Sequence, residues 1–212
     1  MTVALPSSLT PEAVASYILE VLDNSENTPY IGEPISQLQH SLQCANQAAE
    51  ANPPVDEATQ VAALLHDIGQ FIPAKDLLSI TGKHAETLGG VSAIESVGRA
   101  GHDILGGRFL LALGFPEKVS RLVASHVESK RYLCAVDPSY HDKLSDASKK
   151  SLIYQGGPMK GQELEQFGSN PLCSEMCQLR VWDDEAKIEG LEVRNLESWR
   201  SAIERQLNST VA

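Results

Sequence analysis

The segment Leu64-Leu65-His66-Asp67-Ile68-Gly69 places an imidazole and a carboxylate side by side at the end of an apolar helical run. Histidine binds divalent transition metals, and one carboxylate can bridge two of them. Further candidate ligands lie on other segments with helical patterns: His40, His102, His126 and Asp183. We therefore predict an all-α helical bundle built around a dinuclear metal centre.

Length and composition fit one globular domain over residues 1–212, with its core at about 10–190 and a C-terminal amphipathic helix at 196–208. The formal net charge of −11 argues against a nucleic-acid partner, because nucleic-acid phosphates would be repelled. No apolar run approaches the ~20 residues of a membrane span, and no basic start precedes an apolar block. We expect a cytoplasmic monomer whose four scattered cysteines stay reduced.

Capping residues and prolines mark the helix boundaries. Thr10-Pro11-Glu12 predicts the start of a first helix, and Ser36-x-x-Gln39 predicts a capping box before His40. Later helices are predicted over residues 57–68, 99–113 and 171–187, and between Pro116 and the break at Asp137-Pro138. Residues 73–98 lack a clear period, which is typical of a short helix and a long loop that serves as a lid or an insertion.

Two of the candidate ligands have competitors. His84 lies in a segment that resembles the one around His102, but His102 is preferred because its helix leads directly to that of His126. Asp184 competes with Asp183, which we prefer. A single histidine on an apolar face is usually a core residue, whereas four of them with two aspartates favour a metal site.

Further motifs accompany these residues: Tyr30-Ile31-Gly32-Glu33, Ser125-His126, Lys130-Arg131-Tyr132-Leu133-Cys134, Ser145 to Ser151, Gln155-Gly156-Gly157-Pro158-Met159 and Leu179-Arg180-Val181-Trp182-Asp183-Asp184. With them, and with the ligand order His, His-Asp, His, His, Asp, the chain resembles the HD-domain mixed-valent diiron oxygenases that cleave carbon–phosphorus bonds. These are the PhnZ-type enzymes of 2-amino-1-hydroxyethylphosphonate and their TmpB relatives, which act on the N-trimethylated analogue. The resemblance covers roughly residues 28–190.

This resemblance implies a cofactor of two iron ions, Fe(II)/Fe(III), bridged by Asp67. His40, His66 and Asp183 would complete one iron site, and His102 and His126 the other. The implied activity uses O2 to cleave the C–P bond of a 1-hydroxy-2-(amino or trimethylammonio)ethylphosphonate, giving phosphate and glycine or glycine betaine.

The resemblance also implies roles for residues around the irons. Lys130 corresponds to the phosphonate-binding lysine, and Ser148 and Arg180 lie where polar substrate contacts are found. The spacing agrees, because Lys130 follows His126 by one helical turn and Arg180 precedes Asp183 by one turn.

The resemblance also implies that Tyr30 and Glu33 form a gate to the iron pair. In such a gate the glutamate occupies an iron position until substrate displaces it. Gln70 stands where PhnZ-type enzymes often carry a histidine, which leaves the substrate preference open. The methylation state of the amine is also open, and so is a polyol in place of the phosphonate. Two other functions stay open: a metal-dependent phosphohydrolase that uses metal-bound hydroxide, and a metal-stabilised binding module without catalysis.

Overall fold

A computed structural model describes residues 4–30, 32–81, 93–94 and 98–210 of the chain, and the regular secondary structure in this part is almost entirely helical. Eleven α-helices lie in this part: α1 (Pro11–Asp23), α2 (Gln37–Ala49), α3 (Glu57–Leu65), α4 (Ala74–Thr81), α5 (His102–Ala112), α6 (Glu117–Val136), α7 (Pro138–Lys143), α8 (Asp146–Tyr154), α9 (Gly161–Gly168), α10 (Cys173–Glu185) and α11 (Arg200–Asn208). Short 3₁₀ turns span Ile68–Gln70 and Leu196–Trp199. The predicted all-α fold is confirmed.

One element of regular secondary structure in the described ranges is not helical. Strands β1 (Ala93–Ile94) and β2 (Gly98–Arg99) pair antiparallel, with Ala93 opposite Arg99. The sequence carries no period-2 pattern here, because strands of two residues are too short to show one. The weakly periodic segment 73–98 begins with α4. The competing histidine, His84, lies outside the described residues.

The helix starts follow from local capping. The Thr10 hydroxyl accepts a hydrogen bond from the Ala13 amide at 3.3 Å. Ser36 and Gln39 form both halves of the predicted capping box, each side chain satisfying an amide of the other residue. These side chains bind amide groups that a helix start leaves without partners, and so they fix where α1 and α2 begin.

Two predicted helices are shorter than expected. The helix predicted over 57–68 ends at Leu65, because Asp67 leaves helical geometry and a 3₁₀ turn follows. The helix predicted from Arg99 begins at His102, since Arg99 belongs to β2 and Gly101 adopts a left-handed φ of 67°. Both departures fall beside candidate ligands.

The core lies between the helices that carry the candidate ligands. α5 and α6 approach so closely that a β-carbon on Gly107 would lie 2.6 Å from the Ser120 carbonyl oxygen. At the C-terminus, the 3₁₀ turn and α11 bury Trp199, Ile203 and Leu207 against α1 and α3. None of the helices in the described ranges has both the length and the apolar character that crossing a bilayer requires.

Candidate metal centre

Four buried imidazoles are each oriented by a backbone carbonyl. The Nδ1 atoms lie 2.8–2.9 Å from the oxygen atoms of these partners: Ala186 for His40, Ala63 for His66, Arg99 for His102 and Val123 for His126. A carbonyl oxygen only accepts hydrogen bonds, so Nδ1 must carry the proton. Each Nε2 atom therefore presents a lone pair, which is the arrangement of a metal-ligating histidine.

These Nε2 atoms converge in two pairs. His40 Nε2 and His66 Nε2 lie 3.0 Å apart, and so do those of His102 and His126. Two lone pairs at this distance repel each other unless a cation lies beside both. Two nitrogen ligands at right angles on a metal with bonds of about 2.1 Å lie about 3.0 Å apart. The spacing therefore fits a metal ion at each pair.

Asp67 lies between the two pairs, and each of its oxygen atoms faces one of them. Oδ1 is 3.2 Å from His102 Nε2 and 3.5 Å from His126 Nε2. Oδ2 is 3.8 Å from His40 Nε2 and 3.7 Å from His66 Nε2. Burial alone would raise the pKa of this carboxyl, but the neighbouring histidines hold the pKa well below its usual value. Asp67 is placed to bridge two metal ions.

Of the two competing aspartates, Asp183 faces the histidines. Its Oδ1 lies 3.2 Å from His40 Nε2 and 3.8 Å from His66 Nε2. Asp184 instead contacts Arg180 and Tyr140. Asp183 is thus positioned to add a carboxylate to the first histidine pair.

The donor set supports a pair of transition metals. His40, His66 and Asp67 form one buried group whose ligand atoms could hold a metal, and Asp67, His102 and His126 form a second. Both groups consist of imidazole and carboxylate ligands. These ligands suit iron and manganese better than thiolate ligands would. The structure therefore brings all six predicted ligands together.

A pocket lined mostly by polar and charged side chains opens onto this cluster. The remaining predicted site residues all line it: Tyr30, Glu33, Gln70, Lys130, Ser148 and Arg180. Four further polar residues line the pocket that the sequence analysis did not name as site residues: Gln37, Ser151, Gln155 and Lys187. Lys187 follows Asp183 by four residues, so the spacing argument that selected Lys130 could have found it.

Lys130 is a buried cation on this pocket wall. Its Nζ donates to Ser151 Oγ at 2.6 Å, and no described carboxylate forms an ion pair with it within 4.0 Å. Burial, followed by the charge of Arg180, lowers the pKa of this ammonium to about 7. A buried ammonium without a carboxylate is costly, so the site favours an anionic ligand.

Arg180 and Gln70 line the pocket, and their contacts support candidate ligands. Arg180 Nη1 donates to Asp183 Oδ2 at 2.7 Å, while its other nitrogen atoms contact Asp184. Gln70 Oε1 accepts from the Arg99 amide at 2.7 Å, and the carbonyl of Arg99 orients His102. Both residues therefore hold ligand-bearing segments in place.

Tyr30 lies against the cluster, while Glu33 lies away from it. The Tyr30 ring stacks on that of His40 with centroids 3.9 Å apart, and its hydroxyl donates to Asp183 Oδ1 at 3.3 Å. Burial, followed by the charge of Asp183, raises the pKa of Tyr30 well above its ordinary value, so the hydroxyl keeps its proton. Glu33 Oε1 is 3.7 Å from Lys187 Nζ, and among described residues it forms no ion pair with a histidine.

Comparison with known proteins gives a consistent result. The profile of the HD domain family matches residues 38–164. Hydroxymethylphosphonate dioxygenase of Gimesia maris is 33% identical over 205 residues, covering 94% of this chain and 91% of that protein. The 1-hydroxy-2-(trimethylamino)ethylphosphonate dioxygenase (glycine-betaine-forming) of Leisingera caerulea is 31% identical over 202 residues, covering 95% and 94%. An uncharacterized protein of Acanthamoeba polyphaga mimivirus is 29% identical over 193 residues, covering 91% and 81%.

Proposed function

We propose that this chain uses O2 to cleave the C–P bond of a 1-hydroxyphosphonate. The chain belongs to the HD domain family and is a homologue of phosphonate dioxygenases. A 1-hydroxy-2-(amino or trimethylammonio)ethylphosphonate would give phosphate and glycine or glycine betaine. One O2 per substrate balances this reaction, since both oxygen atoms end in the products and no external reductant is needed.

The observation that carries the proposal is the position of Lys130. The chain has a formal net charge of −11, yet the pocket beside the histidine–aspartate cluster contains a buried lysine without a carboxylate partner among the described residues. Lys130 therefore offers its charge to a ligand, and a phosphonate dianion is a suitable one. Ser148, on the same pocket wall, adds a hydroxyl group.

We assign the cofactor as a pair of irons, Fe(II)/Fe(III). His40, His66 and Asp183 would hold one ion, His102 and His126 would hold the other, and Asp67 would contact both. When bound, such a pair supplies the redox chemistry that activates O2 and oxidises the carbon bonded to phosphorus.

The chain's own residues would bind and orient the substrate. Lys130 would hold the phosphonate oxygens at a fixed distance from the metal ligands, because its α6 also carries His126. Tyr30, protonated and stacked on His40, would keep Asp183 in place through its hydroxyl.

The deciding experiment measures O2 uptake and phosphate release by the iron-loaded protein. The substrates are hydroxymethylphosphonate, 2-amino-1-hydroxyethylphosphonate and its trimethylammonio analogue. We expect one phosphate per O2 with at least one of them and no phosphate under anaerobic conditions. Full iron loading without O2 uptake on any hydroxyphosphonate would contradict the proposal, and phosphate release without O2 would instead indicate a phosphohydrolase.

We further propose that the protein acts as a cytoplasmic monomer. Its four cysteines (Cys44, Cys134, Cys173 and Cys177) are free thiols, which agrees with a reducing compartment. Size-exclusion chromatography with light scattering tests the oligomeric state, and a molar mass near 22.9 kDa is expected.

A further inference from the structure

Lys187 is a second lysine in the pocket wall, and its backbone is fixed to the helix that carries His40. The preceding residue, Ala186, accepts from His40 Nδ1 at 2.8 Å. The following residue, Ile188, exchanges two hydrogen bonds with the Gln43 side chain, at 2.7 and 3.0 Å. The segment after α10 is therefore anchored to α2 on both sides of Lys187, and the lysine side chain has a defined position in the pocket.

The Lys187 ammonium has several neighbours but no close partner. Its Nζ lies 3.5 Å from Ser148 Oγ, 3.7 Å from Glu33 Oε1 and 4.0 Å from Asp184 Oδ1. The same atom lies 5.8 Å from the centroid of the Tyr30 ring. Charge-assisted hydrogen bonds are normally about 2.7–2.9 Å long, so each of these contacts is longer than a firm bond. Lys187 is held near the pocket without being tightly committed to one acceptor.

Glu33 depends on this lysine. Its Oε1 atom is buried and has no hydrogen-bond donor among the described residues. Lys187 is the one described cation within 4.0 Å of its carboxylate. A buried carboxylate oxygen without a donor is costly, so any ligand that draws Lys187 away leaves Glu33 without compensation.

The two pocket lysines meet the same face of α8. Lys130 Nζ donates to Ser151 Oγ at 2.6 Å, and Lys187 Nζ lies near Ser148 Oγ, one helical turn earlier. The two serines are linked, because Ser151 Oγ donates to the Ser148 carbonyl at 3.0 Å. An anion lying along this face would have an ammonium group at each end and the Ser148 hydroxyl between them.

We propose that Lys187 is the second anion-binding cation of this pocket and that it exchanges Glu33 for the anion when substrate binds. This deepens the proposed function, on which it rests for the identity of the anion as a phosphonate. The exchange couples substrate binding to the release of Glu33. The incoming dianion takes the Lys187 ammonium from Glu33 and also repels the Glu33 carboxylate. Lys187 thereby makes release of Glu33 a consequence of anion binding.

The test is a double-mutant cycle on binding of inorganic phosphate to the metal-loaded protein, measured by calorimetry. Lys187→Gln should weaken phosphate binding by about tenfold. Glu33→Gln should tighten it by about fivefold, because the competing carboxylate is gone. In the Lys187→Gln background, Glu33→Gln should change the affinity by less than about twofold.

Matched variants separate this effect from general charge and folding. Lys149→Gln removes a partly exposed lysine of α8 whose Nζ donates to the Asp142 carbonyl, and it should leave phosphate affinity unchanged. Lys187→Arg keeps the charge and should retain most of the affinity, which shows that the loss in Lys187→Gln is not misfolding. An unchanged affinity in Lys187→Gln, or the same effect of Glu33→Gln in both backgrounds, would overturn the proposal. Phosphate binding needs no O2, so failure of the oxygenase assay leaves this result independent.

Discussion

Gly69 lies against the backbone of His102 so closely that a β-carbon on Gly69 would stand 1.9 Å from the His102 carbonyl oxygen. This contact joins the turn that carries Asp67 to the first residue of α5. It also helps to set the 3.2 Å distance between Asp67 Oδ1 and His102 Nε2. The glycine that ends the opening motif is therefore a packing requirement of the metal cluster.

Gly69→Ala should damage the cluster as well as the fold. The new methyl group must push His102 away from Asp67, because the atom that it meets is backbone and cannot rotate aside. We expect a loss of about 1–3 kcal/mol in the free energy of unfolding and weaker metal binding at the His102–His126 pair. Denaturant unfolding and metal analysis measure the two effects.

Gly168→Ala is the matched control for that variant. A β-carbon there would meet the Tyr132 hydroxyl at 3.2 Å, and this atom is the end of a side chain that can move. We expect normal metal content in Gly168→Ala. Equal metal content in the two variants would show that the Gly69 contact does not position His102.

Asp67→Asn and Asp183→Asn should differ in how many metal ions they lose. Asp67 faces both histidine pairs, so its replacement should weaken both sites by about 10- to 100-fold or more. Asp183 faces the first pair alone, so Asp183→Asn should keep the ion at the second pair. Metal content per chain after dialysis measures the difference. His141→Gln, which alters a half-exposed histidine on α7, is the control and should retain the full content.

Substrate affinity should fall as the pH rises through about 7. The pKa of Lys130 in the free protein is lowered to about 7 by burial and by Arg180, so the ammonium is progressively lost above that pH. A phosphonate dianion binds the protonated lysine, and binding must therefore weaken by up to tenfold for each further pH unit. The dependence of KM on pH over roughly three pH units around the lysine pKa measures this effect.

Lys130→Arg provides the control for the pH effect. Arginine keeps its charge throughout this range, so its KM should vary much less with pH, although its larger head should raise KM overall. A wild-type KM that is flat with pH, or a variant with the same slope as the wild type, would count against Lys130 as the group that titrates.

Removal of the metals should destabilise the fold. The candidate ligands come from α2, from the turn after α3, and from α5, α6 and α10, so bound ions would cross-link all of them. Without a cation, the Nε2 lone pairs that lie 3.0 Å apart repel. We expect chelation to lower the melting temperature by about 5 °C or more and re-addition of iron to restore it. An unchanged melting temperature after complete metal removal would exclude this cross-linking role.

The local features of the fold could be predicted because their chemistry lies within one helical turn. Ser36 and Gln39 satisfy each other's amides three residues apart, so the start of α2 is written in the sequence. The ligand types and their order along the chain are also sequence properties, and from them a dinuclear cluster is predicted. The packing of the turn after α3 could not be predicted in this way, since Gly69 in this turn contacts the backbone of His102 on another helix.

The helical class, the caps of the main helices and the candidate metal ligands can all be predicted from the order of residues along the chain. That Asp183 rather than Asp184 faces His40, and that Glu33 lies beside Lys187, depends on how the helices pack. The physical reason is the separation along the chain: the carbonyl that orients His40 is 146 residues away, at Ala186. Hydrogen bonds within a turn follow from neighbouring residues, whereas contacts across the bundle exist only after the helices have packed.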